Sequence, residues 1–226
     1  MAGFLALGTW QLQRRAWKLA LIERVEQGLR ATPGALPTPA QWRSLDWGQL
    51  AYQPVTLQGR WRSDGLVLSK AVTAQGSGFW VMTPLELESG ASVWVNRGFV
   101  PEDQRARWLE TRKKPHEIGV VSLVGLVRVN EPGGGFLRAN DPANERWYSR
   151  DVVAMAQARG LAKASPFFVD AGLPGSSAAS DGWPRQGLTV VRFSNNHLVY
   201  ALTWFSLALM VAGAVGYVAR SGRTSR

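Results

Sequence analysis

The feature that most constrains this chain is a stretch of 21 residues without a charged side chain, residues 198–218, close to its C-terminus. As an α-helix this stretch would span about 31 Å, which matches the hydrocarbon core of a bilayer. Aromatic residues lie near both of its ends, where the membrane interfaces would be. A buried helix of a soluble domain would usually be shorter and would carry a polar stripe. The sequence therefore predicts a transmembrane helix over residues 198–218.

The flanking charges predict the orientation of this helix. Residues 219–226 carry three arginines and no acidic residue, and basic flanks tend to remain in the cytoplasm. We therefore expect a cytoplasmic basic tail, with everything before the helix on the outer face of the membrane.

A first membrane helix is expected at the N-terminus. Residues 1–9 are apolar and uncharged, but as a helix they would cross only about 14 Å. We interpret them as the outer half of a transmembrane helix whose beginning is missing from this sequence and whose extramembrane continuation reaches residue 30. Further apolar codons are then expected in frame upstream of Met1. Together the two helices predict a multi-pass protein.

The region between the helices, residues 31–197, is predicted to be an α+β domain on the outer face of the membrane. Three prolines mark residues 31–40 as a linker. A short helix is expected with Ser149 or Asp151 as its N-cap and Gly160 as its end. Residues 172–187 form a Gly/Ser/Pro-rich loop. Strand patterns cover residues 55–61, 65–71, 78–87, 91–100, 120–129, 166–171 and 188–193. The pattern favours a mostly antiparallel sheet or a small barrel.

Composition and motifs exclude several classes of function. The chain has no cysteine, which excludes disulfide scaffolds, thiolate metal sites and cysteine nucleophiles. Its net charge of +10 is spread along the sequence without a basic helix or a zinc module, so we expect no nucleic-acid partner. No phosphate-binding loop, dinucleotide fingerprint, zinc-protease motif or serine-hydrolase motif occurs. We therefore predict that the protein is not an enzyme.

His197, directly before the apolar stretch, is the candidate functional residue. An ionisable side chain at a membrane boundary often marks a functional site. Helical spacing places Ala201, Trp204, Ala208 and Ala212 near its face, at four, seven, eleven and fifteen residues after it. Ala208, Ala212 and Gly216 form a run of small residues at intervals of four that would let another helix approach closely, although the run drifts away from the face of His197 toward Gly216. On spacing alone, a histidine that only forms a hydrogen bond at the interface remains the alternative.

Five segments distributed over nearly the whole chain carry a family resemblance. They are LGTWQLQRRAWK at residues 7–18, VWVNRGFVP at 93–101, NDPANERWYSRDVVAMA at 140–156, PFFVDA at 166–171 and NNHLVYALTWFSLA at 195–208. In this order and spacing, the segments resemble the Surfeit locus protein family of cytochrome c oxidase assembly factors. The loop before the last predicted strand departs from the family pattern. It reads WPRQGLT at residues 183–189 where a paired glycine is usual, which leaves the role of residues 172–187 open.

The resemblance implies a two-helix membrane protein with a periplasmic domain that assists heme-copper cytochrome c oxidase. Its implied role is the delivery or insertion of heme a into subunit I, with heme a bound transiently and His197 as the candidate ligand of the heme iron. The implied partners are cytochrome c oxidase subunit I, heme a synthase and membrane lipid. A neutral imidazole is a suitable axial ligand. The alternative is a membrane-anchored scaffold that stabilises an oxidase subunit without binding heme. Arg14, Arg150 and Arg192 could contact heme propionates or be solvated surface charges.

Overall fold

The computed structural model describes residues 1–113, 119–135, 138–175, 182–189 and 195–221. The chain divides into two compact units, one formed by Met1–Gln27 with Arg192–Arg226 and the other by Gly28–Val191. The helices are α1 (Ala2–Arg30), α2 (Trp47–Leu50), α3 (Arg105–Thr111), α4 (Val152–Ala158) and α5 (His197–Ser221). The strands are β1 (Gly34–Ala35), β2 (Pro54–Trp61), β3 (Val67–Thr73), β4 (Gly76–Glu86), β5 (Ser92–Pro101), β6 (Val121–Val129) and β7 (Ala164–Ala171).

The first unit contains the two long helices, α1 and α5. The N-terminal segment is one continuous helix through residue 30, as predicted. In the described part of the chain, α5 is the one helix that is both long and apolar enough to cross a membrane, over His197–Val215. Most of its large apolar side chains are exposed, which excludes the alternative of a buried core helix. This helix fits a membrane-associated protein.

The second unit is built around a closed five-stranded barrel. The strands pair in the order β2–β6–β7–β5–β4, and a short antiparallel pairing of β4 with β2, at Trp61 opposite Leu85, closes the ring. The β5–β7 pairing is parallel and the other four pairings are antiparallel. Strands β1 and β3 extend the sheet at β2 and β4. Of the two predicted alternatives, a mostly antiparallel sheet and a small barrel, the structure shows the small barrel.

Alternation along the strands places the core inside this barrel. Val55, Leu57 and Trp61 of β2 are buried while Thr56 and Gln58 are exposed, as the period-2 pattern predicts. Strands β4 and β5 are instead buried on both faces. The outer faces of β4 and β5 are buried because helices and loops cover them. For example, Met155 of α4 packs in one cluster with Trp94 and Phe168.

Several local predictions require correction. The linker at residues 31–40 includes β1, which pairs with β2, and the start of a 3-10 turn at Pro39–Gln41. Asp151 caps α4, whereas Ser149 does not: the Asp151 carboxylate accepts a hydrogen bond from the Ala154 amide at 3.2 Å. Helices α2 and α3 were not predicted, because four and seven residues are too short for a clear period. The predicted strand at residues 188–193 lies mostly outside the described residues.

Candidate functional site

His197 is the first residue of α5, and its ring contacts the other long helix of the same unit. Nδ1 lies 2.7 Å from Oε1 of Gln11 in α1. Because an amide oxygen only accepts hydrogen bonds, Nδ1 carries the proton in this contact. The neutral tautomer with a proton on Nδ1 has a lone pair on Nε2. No described residue forms a hydrogen bond with Nε2, and the residue is partly exposed. The contact therefore orients the ring and leaves Nε2 available to a ligand.

The two helices pack closely and run antiparallel beyond this contact. The rings of Phe4 and Trp204 stack with their centroids 5.9 Å apart. Gly8 faces Phe205 so closely that a Cβ atom there would lie 2.6 Å from the ring. The absence of a side chain at Gly8 thus allows the helices to approach each other, as small residues do in membrane helix pairs.

The structure divides the small residues of α5 into two groups. Ala201 and Ala208 are 1% and 3% exposed, in agreement with the predicted helix-facing surface. Ala212 is exposed. It lies beyond the level of the first residues of α1, so its placement on the helix-facing surface stays a prediction. The surroundings of Gly216 lie outside the described residues.

This helix pair can be tested with cysteines, since the chain has none of its own. We expect Phe4→Cys/Trp204→Cys protein in detergent to form an intramolecular disulfide under mild oxidation, because the two side chains face each other. Adding Ala208→Leu should slow this cross-linking severalfold, since a bulky side chain at a buried position pushes the helices apart. Ala212→Leu is the matched control and should leave the rate unchanged. Equal rates in the two leucine variants would contradict the packing.

The donor groups near His197 suit a metal that brings most of its own ligands. Among the described residues no cluster of three or more His, Asp or Glu side chains could hold a bare ion. A heme supplies four equatorial nitrogens and needs only axial ligands from the protein, so a single oriented imidazole is sufficient.

Sequence reasoning missed Gln11, although a signal for it was present. Phe4, Gly8 and Gln11 follow the spacing of four and then three residues that places side chains on one helix face. A polar residue continuing an otherwise apolar helix face near a membrane boundary indicates a polar partner on the neighbouring helix.

A second polar cluster lies in the barrel unit and binds Arg150. Its guanidinium donates to Glu131 from Nε at 2.9 Å and from Nη2 at 2.6 Å, and to Asp170 from Nη1 at 3.1 Å. Arg128 donates to the other Asp170 oxygen at 2.7 Å. Asn96 donates to Asp170 at 2.8 Å. The cluster joins β5, β6 and β7 to the loops that follow β6 and precede α4.

The charges of this cluster balance each other. Burial by itself would lower the pKa of Arg150, but the charge of Asp170, together with the hydrogen bonds and charge of Glu131, outweighs burial and raises it. Two guanidinium groups face two carboxylates, so the cluster does not need a ligand to neutralise it. Arg150 is therefore not a solvated surface charge, because its guanidinium is paired with two carboxylates inside the barrel unit. Arg14 lies on an exposed helix face over the Trp17 ring, 4.3 Å from its centroid, and Arg192 lies outside the described residues.

The segment at residues 140–151 is held by its own side chains. Oδ1 of Asn140 accepts hydrogen bonds from the amides of Tyr148 and Ser149 at 2.8 and 3.2 Å. Glu145 binds the guanidinium of Arg159 through both oxygens at 2.7 and 2.8 Å. These hydrogen bonds and the charges of Arg159 and Arg112 lower the pKa of Glu145 despite its partial burial. The structure thus gives this segment a structural role.

The barrel, the apolar helix and the oriented histidine define a class: membrane-associated α+β proteins with a small closed barrel and a helix pair. Comparison with known proteins then identifies the family. The chain belongs to the SURF1 family, whose model matches residues 1–209.

Surfeit locus protein 1 of Mus musculus is 36% identical over 217 residues, which cover 89% of this chain and 67% of the mouse protein. The Homo sapiens protein of the same name is 35% identical, over 89% of this chain and 69% of its own length. A SURF1-like protein of Monosiga brevicollis is 34% identical, over 96% and 83%.

Proposed function

We propose that this protein is an assembly factor for heme-copper cytochrome c oxidase that acts in the delivery or insertion of heme a into subunit I. His197 is proposed as an axial ligand of the heme iron during this transient step. Membership of the SURF1 family supports the link to oxidase assembly. The observation that carries the heme assignment is the 2.7 Å contact between His197 Nδ1 and Gln11, because it leaves Nε2 as the available ligand atom.

The proposed membrane arrangement has α1 and α5 crossing the cell inner membrane as an antiparallel pair, with the barrel unit in the periplasm. The close contacts at Phe4, Gly8 and Ala208 support two neighbouring membrane helices. His197 then lies at the outer membrane boundary, where the apolar macrocycle of a heme could lie against the helices and its propionates could reach water.

Reporter fusions test this topology. A reporter fused after Arg226 should be active only in the cytoplasm, because the preceding arginines favour the cytoplasmic side. A reporter inserted between residues 172 and 187 should be active only in the periplasm. The opposite pattern of activities would exclude a periplasmic barrel.

Heme binding is tested by purifying the protein in detergent after co-expression with the enzymes of heme a synthesis. We expect an absorption spectrum of a ligated heme a, with a stoichiometry near one heme per chain. A colourless protein obtained despite abundant heme a would exclude stable binding and favour the alternative of a heme-independent scaffold.

The role proposed for Gln11 gives a further prediction. Gln11→Leu removes the acceptor for His197 Nδ1–H, and such second-sphere changes typically weaken metal binding by about 10- to 100-fold. Gln11→Glu keeps an acceptor oxygen and makes the imidazole more basic. We expect it to retain heme and to lower the reduction potential of the bound iron, measured by spectroscopic titration. Equal heme affinity in the wild type and Gln11→Leu would show that this contact does not position the ligand.

A further inference from the structure

The face of α1 that contacts His197 continues outward with two basic residues. Phe4, Gly8 and Gln11 are followed on the same face by Arg15 and Lys18, at intervals of four and three residues. At 1.5 Å per residue, Arg15 lies about 6 Å and Lys18 about 10.5 Å beyond Gln11 along the helix axis. Because α1 passes the start of α5, both residues lie on the side of His197 that faces away from the apolar helix α5.

Arg15 and Lys18 are less exposed to solvent than their neighbours on α1. Arg15 and Lys18 are partly buried, whereas Leu12, Arg14 and Trp17 are exposed. Partly buried basic side chains commonly lay their aliphatic stems along apolar surface and keep the charged head available to a partner or to water. Within the described residues, neither Arg15 nor Lys18 forms a hydrogen bond or an ion pair with another side chain.

The described helix pair carries no acidic residue along the stretch that contains His197, Arg15 and Lys18. Residues 1–22 and 195–221 include no aspartate or glutamate. An anionic group that approached His197 would therefore meet positive potential with no competing carboxylate along this stretch of the helix pair. This differs from the balanced cluster around Arg150, where each guanidinium already has its acid.

We propose that Arg15 and Lys18 form a carboxylate-binding subsite for the ligand that His197 holds. If that ligand is heme, as in the function proposed above, the two propionates on one edge of the macrocycle bind here. The inference rests on that proposed function. Arg15 can bind a carboxylate through two parallel hydrogen bonds, while Lys18 supplies a single point charge. His197 then fixes the iron and the two basic residues fix the orientation of the ring in its own plane.

Anionic lipid headgroups are a different class of partner for basic residues near a membrane. Their contact would be expected at side chains on the outer surface of the helix, such as Arg14 beside Trp17. Arg15 and Lys18 are instead on the face of Gln11 and His197, so the observations favour a ligand at that face.

The test compares ferric heme a with its dimethyl ester, in which both propionates are neutral. Each is titrated into the full-length protein in detergent and followed by absorption. For Arg15→Gln/Lys18→Gln we expect the affinity for heme a to fall about tenfold, as for two partly exposed charge pairs, and the affinity for the ester to stay at the wild-type value. Arg14→Gln is the matched control and should bind both hemes like the wild type.

The outcomes separate this inference from the proposed function. If the double variant weakens heme a and the ester equally, the charges act through the fold or the detergent surface and the subsite is wrong. The subsite is also wrong if the double variant binds heme a with the wild-type affinity while His197→Ala does not bind heme a. If the wild type binds neither heme, the proposed heme function fails and the subsite fails with it.

Discussion

His197→Ala should abolish the heme a spectrum of the purified protein while leaving the fold intact. Changes in the second sphere already weaken metal binding by 10- to 100-fold, so loss of the ligand itself should weaken it by more than about 100-fold. The ring is partly exposed and, within the described residues, forms one hydrogen bond, to Gln11. Its removal should therefore cost about 1 kcal/mol of stability or less. Absorption titration and thermal unfolding measure the two effects separately.

His116→Ala serves as a control for this experiment. His116 is the only other histidine of the chain, and it lies outside the described residues in a charged stretch. Its replacement should leave the spectrum unchanged. Full heme occupancy with an unshifted spectrum in His197→Ala would show that His197 is not the ligand.

Arg150→Met should destabilise the barrel by about 3 kcal/mol or more. The Arg150 side chain is only 12% exposed, and its loss leaves Glu131 with one 3.5 Å ion pair to Arg128 and Asp170 with one guanidinium instead of two. Removing one partner of a buried ion pair typically costs about 3–5 kcal/mol because the other charge stays buried. Urea unfolding followed by tryptophan fluorescence gives the free energy of unfolding.

Lys113→Met is the matched control for Arg150→Met. Lys113 and Glu110 form an ion pair of 2.7 Å, but their side chains are 72% and 64% exposed. Solvent screens such a pair, so its loss should change stability by less than about 1 kcal/mol. Similar losses in the two variants would mean that the Arg150 cluster contributes no more than a surface pair.

The parts of the fold with a strong period could be predicted from the sequence. The long helices, the central strands and the small barrel follow from the apolar run of α5 and the alternation in strands such as β2. The pairings that close the barrel could not be predicted. The short β2–β4 contact and the parallel β5–β7 pairing join residues far apart in sequence and have no local signal.

The candidate site, like the fold, could be predicted from the sequence only in part. His197 could be identified because an ionisable residue beside an apolar run is visible in one segment. Its partner Gln11 lies 186 residues earlier, and the charged cluster joins Arg150 to Glu131 and Asp170 from separate loops and strands. Sequence reasoning therefore considered Arg150 only as a propionate contact or a solvated surface charge and did not find its ion pairs. Which residue lies opposite another is decided only by the tertiary structure.

We propose that this protein promotes the delivery of heme a to subunit I through His197. The most direct measurement is the ratio of heme a to subunit I in cytochrome c oxidase purified from cells that lack the gene. We predict a lowered ratio that is restored by the wild-type gene and not by the His197→Ala gene. A normal ratio in cells without the gene would contradict the claim, and a smaller amount of oxidase with a normal heme content would instead indicate a scaffold.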